Sequence, residues 1–173
     1  MPPLPGDRFP SVTGSALRRL EPGDRHLRIR PGTEADLPEV VRLDKEAFPE
    51  GPYPFDVLRQ WLDVCEDRML VADDGTTLHG YIAVAATPNA TRTWILSLAV
   101  TPSRRGRGVG RQLMLEVLRH LRTDGVREVR LTVEPSNTTA IVLYRSLGFV
   151  PMGGARKNYL GPGKDRLILA LSL

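Results

Sequence analysis

The chain has a single cysteine, few aromatic residues and no long apolar run. Cys65 has no internal disulfide partner. It falls among the apolar positions of an expected helix and reads as packing rather than as a nucleophile. Aromatics make up 6% of the residues, too few for the interleaved rings and basic side chains that single-stranded nucleic acid requires. No stretch approaches the ~20 consecutive apolar residues of a membrane-spanning helix. The N-terminus lacks the basic-then-apolar pattern of a secretory signal, so a cytoplasmic location away from membranes is expected. Gly-Lys-Ser/Thr is absent, which excludes a P-loop. Gly106-x-Gly108-x-Gly110 is not the dinucleotide-binding G-x-G-x-x-G spacing either.

With 173 residues, 41% apolar and 25% charged, what remains is the make-up of one soluble globular domain. The net charge of +4 suits an anionic ligand without implying a nucleic acid. Residues 1–25 carry Pro2, Pro3, Pro5, Pro10 and Pro22 with little periodicity. They are expected to form a flexible leader, with a folded domain over 26–173.

The folded part is organised around Val100-Thr-Pro-Ser-Arg-Arg-Gly-Arg-Gly-Val-Gly110. Thr93–Val100 is a nearly continuous apolar run with β-branched and aromatic members, the pattern of a central strand covered on both faces. Val109, Leu113, Val117 and Leu121 then recur every four residues as the buried stripe of a helix that Gly125 ends. The loop between them holds three glycines, flanked by Arg104, Arg105, Arg107 and Arg111. A helix N-terminus offers free backbone N–H groups and partial positive charge. Glycines allow close backbone approach, and arginines add bidentate donors. That combination suits a phosphate; a solvated basic turn is the plainer alternative.

Upstream, Leu27–Arg30 reads as a strand, and Thr33 caps a helix carrying Leu37, Val40, Val41 and Phe48. Three prolines within Pro49–Pro54 force a loop, and a helix over about 55–64 follows, with Phe55, Leu58, Trp61 and Leu62 as its buried side. Met69–Ala72 and Leu78–Thr87 are expected strands, with a turn at Pro88-Asn89 before the central strand. Downstream come a strand over Glu128–Val133, a helix with Ala140, Ile141, Leu143, Tyr144 and Leu147, a strand from Phe149, and a last strand over Arg166–Leu171. The last strand is apolar enough to serve as a sheet edge that pairs with a second copy.

Arg105-Gly-Arg-Gly108-Val-Gly110 resembles the R/Q-x-x-G-x-G/A signature of the GNAT superfamily, the acyl-CoA-dependent N-acyltransferases. Glu134-Pro-Ser-Asn137-x-x-Ala140-x-x-Leu143-Tyr144-x-x-x-Gly148-Phe149 resembles that family's second signature. The element order β-α-α-β-β-β-α-β-α-β-β over 27–171 is also the family's. The resemblance implies an α/β fold: a mostly antiparallel seven-stranded sheet flanked by four helices, with acetyl-CoA as co-substrate and no metal. It implies that backbone groups of Leu98, Ala99 and Val100 hold the pantetheine arm, with an amide near Leu98 or Ala99 polarising the thioester. Backbone N–H groups over Arg105, Gly106, Arg107, Gly108, Val109, Gly110 and Arg111 hold the pyrophosphate. Asn137 bonds the arm near the sulfur, and Tyr144 protonates the leaving thiolate. Asn137 also suits a helix cap, and Tyr144 also suits a core position.

Several relatives place a glutamate base on the fourth or fifth strand, where this chain has Ser97 and Thr132. Glu134, Glu50, Glu46 and an ordered water held near Ser97 remain as alternatives, with His79 read as structural. The pattern is nearest to the ribosomal-protein alanine N-acetyltransferase branch, which implies a peptide N-terminus in a slot lined by Phe48, Tyr53, Ser97, Thr132 and Tyr159. A small amine is the other acceptor considered. A catalytically inactive acyl-CoA-binding module, acting as a sensor or interaction domain, is the reading from a different class.

Overall fold

The structure is a computed structural model and describes residues 27–85 and 91–173; the expected leader and the turn at Pro88-Asn89 lie outside them. Strand β1 (Arg28–Pro31) precedes helices α1 (Leu37–Ala47) and α2 (Phe55–Cys65). Then come β2 (Met69–Asp73), β3 (Leu78–Val84), β4 (Arg92–Val100), α3 (Val109–Thr123), β5 (Glu128–Val133), α4 (Thr138–Ser146), β6 (Val150–Pro151) and β7 (Leu167–Ser172). The strands form one sheet in the order β1-β2-β3-β4-β5-β7-β6. Neighbours are antiparallel except β4 and β5. This is the expected fold class. No helix among the described residues is long and apolar enough to cross a membrane.

Periodicity explains the layers. In α3, Val109, Leu113, Met114, Val117, Leu118 and Leu121 are all buried, on one face of the sheet with Tyr144 and Phe149. On the other face, Leu37, Val40 and Leu43 of α1 pack with Leu58 of α2 and Tyr81 of β3. Each fully buried Leu contributes on the order of 1.5–3 kcal/mol.

Two expectations are corrected. Phe55 is 56% exposed, because it opens α2 ahead of the turns that meet the sheet; Leu58 is the residue buried there. The last strand is not an edge. β7 pairs with β5 along its whole length and with β6 at Ala170 and Leu169, so the support it lent to pairing with a second copy falls away.

The α1 entrance is tied by charge. Thr33 precedes a short turn over 34–36 rather than α1 itself, and its N–H donates to Asp36 Oδ2 (2.7 Å). Arg30 donates to both oxygens of the same carboxylate at 2.7 and 2.8 Å. The Arg30 guanidinium holds the Asp36 carboxyl at about 2, below its usual range. The folded value is lower than the unfolded one, so the stabilisation is present above the unfolded value and is lost as pH falls through the folded one. Asp36→Asn should therefore lower the melting temperature at neutral pH and flatten its acid decline between about pH 4 and 2. A pH series of melting curves for both proteins checks this.

Candidate active site

β4 is bulged. Val84 pairs with Ile95 and Ala83 with Ser97, which leaves Leu96 as an extra residue on β4. Before the bulge, the Trp94 carbonyl accepts from Ala85 N–H of the β3 side; after it, Thr101 N–H donates to the His79 carbonyl. Backbone groups alternate sides along a strand, so Ser97 and Ala99 also spend theirs on β3, while those of Leu98 and Val100 face β5. On that side the β4–β5 ladder ends at Ile95–Leu131, five residues before β4 does. The sheet splays open there, beside the backbone of Leu98 and Val100. The Ala99 side chain is buried in the core, and its backbone groups face β3.

The glycine loop lies at the open end. Gly108 is the N-cap of α3 with φ +83°, and Gly106 has φ +73°. Nothing lies within 4 Å of a Cβ built on either. The first-turn N–H groups of Val109, Gly110 and Arg111 have no carbonyl partner within the helix. Gly110 serves packing instead: a Cβ there would meet Val100, Leu143 and Leu98 side chains at 3.5–3.8 Å. Arg105 is exposed and ties the loop back to β4, its backbone N–H donating to the Pro102 carbonyl and its Nε to the Val100 carbonyl (3.3 Å). Arg111 Nη1 donates to Ser146 Oγ (2.8 Å), tying α3 to α4. Arg107 and Gly108 are exposed.

Asn137 caps α4, its side-chain oxygen accepting from Ala140 N–H (3.1 Å). Tyr144 is 8% exposed, with its ring tilted against Phe149. Its hydroxyl has no hydrogen-bond partner among the described residues, and burial raises its pKa to about 12. A phenol in that state stays protonated at ordinary pH and leaves a donor unspent. The neighbouring Leu143 reaches the same Gly110 contact as Leu98 and Val100, which brings this turn of α4 to the splay.

On the opposite face, Leu131 and Val133 of β5 point into the α3 side of the core, so Thr132 faces the α1 side. Ser97 does the same, 3.0 Å from the Tyr81 hydroxyl. Phe48 and Tyr53 are half-buried in the loop after α1, and Tyr53 stacks on Trp61 with ring centroids 4.5 Å apart. A Cβ on Gly51 would lie 3.7 Å from Lys164 Nζ, so this loop meets the segment joining β6 to β7. That segment carries Tyr159, 39% exposed, under the Arg156 guanidinium.

Among the proposed bases, Glu50 and Glu134 are exposed. Glu46 is engaged, accepting from Arg42 (2.7 Å) and from Thr101 Oγ1 (3.1 Å), and its carboxyl is held below the usual range chiefly by the Arg42 bond. His79 pairs with Asp74 (2.7 Å), which accounts for it structurally. Cys65 is buried and its thiol is pushed up to about 11, the state of a packing residue. Sequence reasoning missed Asp44. It is 0% exposed, with Tyr81 donating to Oδ1 (2.6 Å) and Tyr53 N–H to Oδ2 (2.6 Å). The available signal was its position: Asp44 stands four residues after Val40 and seven after Leu37, within the apolar stripe of α1.

Comparison with known proteins agrees with this geometry. The model of the acetyltransferase (GNAT) family matches residues 37–149. Mycothiol acetyltransferase of Saccharopolyspora erythraea is 36% identical over 149 residues, covering 81% of this chain and 48% of that protein. The chain thus spans about half the length of that relative. N-alpha-acetyltransferase RimI of Mycobacterium tuberculosis is 33% identical over 137 residues, covering 77% of this chain and 84% of that one. In fold alone, the chain resembles Ard1 from Thermoplasma volcanium (TM-score 0.78, 24% identity, 85% of this chain and 97% of that one). It also resembles in fold the ribosomal-protein-S18-alanine N-acetyltransferase from Escherichia coli (TM-score 0.72, 24% identity, 84% of this chain and 93% of that one). With the family match running from α1 through α4 across both signatures, the chain belongs to the GNAT acetyltransferase family.

Proposed function

We propose that this protein transfers an acetyl group from acetyl-CoA to a primary amine, and that the acceptor is a peptide N-terminus. The Tyr144 hydroxyl carries this reading. It is a buried donor with no partner among the described residues, on the turn of α4 whose Leu143 approaches Leu98 and Val100 past the end of the β4–β5 ladder. The residues present fit the cofactor: positive-φ glycines and a free helix N-terminus for the pyrophosphate, and strand backbone at Leu98 and the Val100 N–H that β5 does not pair for the amide-bearing arm.

Acetyl-CoA, when bound, supplies the acyl group as an activated thioester. The chain's part is to bind, orient and move protons. Val109, Gly110 and Arg111 amides would hold the pyrophosphate, and the Leu98 backbone with the Val100 N–H would pair with the pantetheine arm. Of Leu98 and Ala99, the Leu98 amide, on the β5 side of β4, would be the donor to the thioester carbonyl. Tyr144 donates to the departing sulfur. Burial keeps the Tyr144 phenol protonated and able to donate.

The peptide acceptor is supported by the RimI relative, of which the chain covers 84%, and by the contact between the loop that carries Tyr53 and the segment that carries Tyr159, where Gly51 meets Lys164. A small-amine acceptor is the second reading, supported by the 36% identity to a mycothiol acetyltransferase. Melting curves with and without acetyl-CoA test the cofactor. Saturation at 100 times Kd should add about 2.7 kcal/mol of stability, whereas no shift in a folded protein overturns the reading. Free-thiol release against N-terminal peptides and small primary amines then decides the acceptor; a protein that binds acetyl-CoA and acetylates neither is a binding module.

A further inference from the structure

Attack by the amine leaves one proton to be removed; Glu50 and Glu134 are exposed, and Glu46 is held by Arg42 and Thr101. The α1 face of the sheet holds a different route. Ser97 follows the β4 bulge, two residues beyond the last β4–β5 pair, on the face that meets the acceptor loop. Its Oγ is 3.0 Å from the Tyr81 hydroxyl, and that hydroxyl donates at 2.6 Å to Asp44. One phenol carries one proton; since Tyr81 gives its own to Asp44, Ser97 donates to Tyr81. The chain of donors therefore already runs inward, from the splay to a carboxylate.

Asp44 is unusual among the acidic residues of the described chain. It is 0% exposed, and no cation pairs with it there; its partners are Tyr81 and the Tyr53 amide. Burial raises its carboxyl above the usual range against those two hydrogen bonds. The groups facing it are Tyr81 from β3, Ser97 behind Tyr81 on β4, and Tyr53 from the acceptor loop, with the Arg166 charge acting on the far side of Tyr53. A buried, uncompensated carboxylate costs stability, and two hydroxyls leading from it to the splay give that cost a use.

We propose that Asp44 is the proton acceptor of the transfer reaction, acting through Tyr81 and Ser97. As the C–N bond forms and the C–S bond breaks, the bonding pair leaves on sulfur. The amine proton passes to Ser97 Oγ, the Ser97 proton to the Tyr81 oxygen, and the Tyr81 proton to Asp44 Oδ1. Asp44 ends neutral and Tyr144, having protonated the sulfur, ends ionised; Asp44 returns its proton along the same path to water and Tyr144 takes one from water, which restores both. The inference rests on the acetyl-transfer reading.

Asp44→Asn is the central test, because the amide still accepts from Tyr53 N–H and contacts Tyr81 but takes no proton. Its folded form loses a buried charge. The folded carboxyl is raised above its unfolded value, so its ionisation weakens folding as pH rises through the folded value; the melting temperature of Asp44→Asn should match or exceed wild type at neutral pH. The acetyl-CoA thermal shift should persist while kcat falls roughly 10²–10⁴-fold. In wild type, kcat at saturating acceptor should fall on the acid side with Asp44 protonation, and infrared difference spectra should show a buried carboxyl titrating at the same pH, absent from Asp44→Asn. Ser97→Ala should lose at least tenfold in kcat and Ser97→Thr should regain it, which a packing role for Ser97 does not require.

Wild-type kcat in Asp44→Asn, or an infrared titration displaced from the kinetic one, overturns the proposal. Should Asp44→Asn fail to fold, Ser97→Ala with unchanged kcat overturns it equally. Loss of the acetyl-CoA shift from wild type itself would instead overturn the acetyl-transfer reading.

Discussion

Tyr144→Phe should fold, bind acetyl-CoA and turn over roughly 10²–10⁴-fold more slowly than wild type. The substitution removes one oxygen and leaves the ring against Phe149. Because the hydroxyl has no partner among the described residues, its loss strands no buried donor or acceptor, and the melting temperature should stay level or rise slightly. The defect should sit in kcat, since donation to sulfur matters only as the C–S bond weakens, and the KM for acetyl-CoA should change little. Burial pushes the phenol to about 12, so Tyr144 stays protonated through the neutral range and imposes no loss of activity there. Steady-state thiol release across pH, with acetyl-CoA melting shifts for both proteins, measures each part. Equal kcat would return Tyr144 to the packing role that its place on α4 also suits.

Element order was legible because apolar spacing alone separates the helices from the strands: Val109, Leu113, Val117 and Leu121 could line only a helix, and Glu128–Val133 alternates as a strand does. Sheet order was not, because pairing is set by contacts distant in sequence. Leu167–Ser172 has the composition of an edge or an interior strand, and only its pairing with both β5 and β6 decides between them. The bulge at Leu96 left no trace in composition, since Thr93–Val100 contains no glycine or proline to mark it, yet it turns Leu98 and Val100 toward β5. The loop and Tyr144 were legible through their signatures. Asp44 was hidden by the habit of treating acidic residues on a helix as its solvent face, although its stripe position said otherwise.

The glycine loop separates two residues that the signature treats alike. Gly108 has φ +83° with open space around a built Cβ, so what a side chain costs there is conformational rather than steric. A β-branched residue in the left-handed region costs about 1–2 kcal/mol. Gly108→Val should thus lower the melting temperature by about 2–8 °C without ligand. It escapes that strain only by turning the peptide at the start of α3, which re-aims the amides of Val109 and Gly110. Acetyl-CoA should then bind at least tenfold more weakly, read as a lost thermal shift and a raised Kd. Gly110 has no positive φ, and its built Cβ meets Val100, Leu143 and Leu98 at ordinary contact distances. Gly110→Ala should keep the acetyl-CoA shift and gain up to about 1 kcal/mol from helix propensity, while a large side chain there would push Leu143 off β4. If Gly108→Val binds as wild type does, the pyrophosphate is not held by this helix N-terminus. If Gly110→Ala loses binding while folded, the anion approaches Gly110 more closely than the packing of Leu98, Val100 and Leu143 allows.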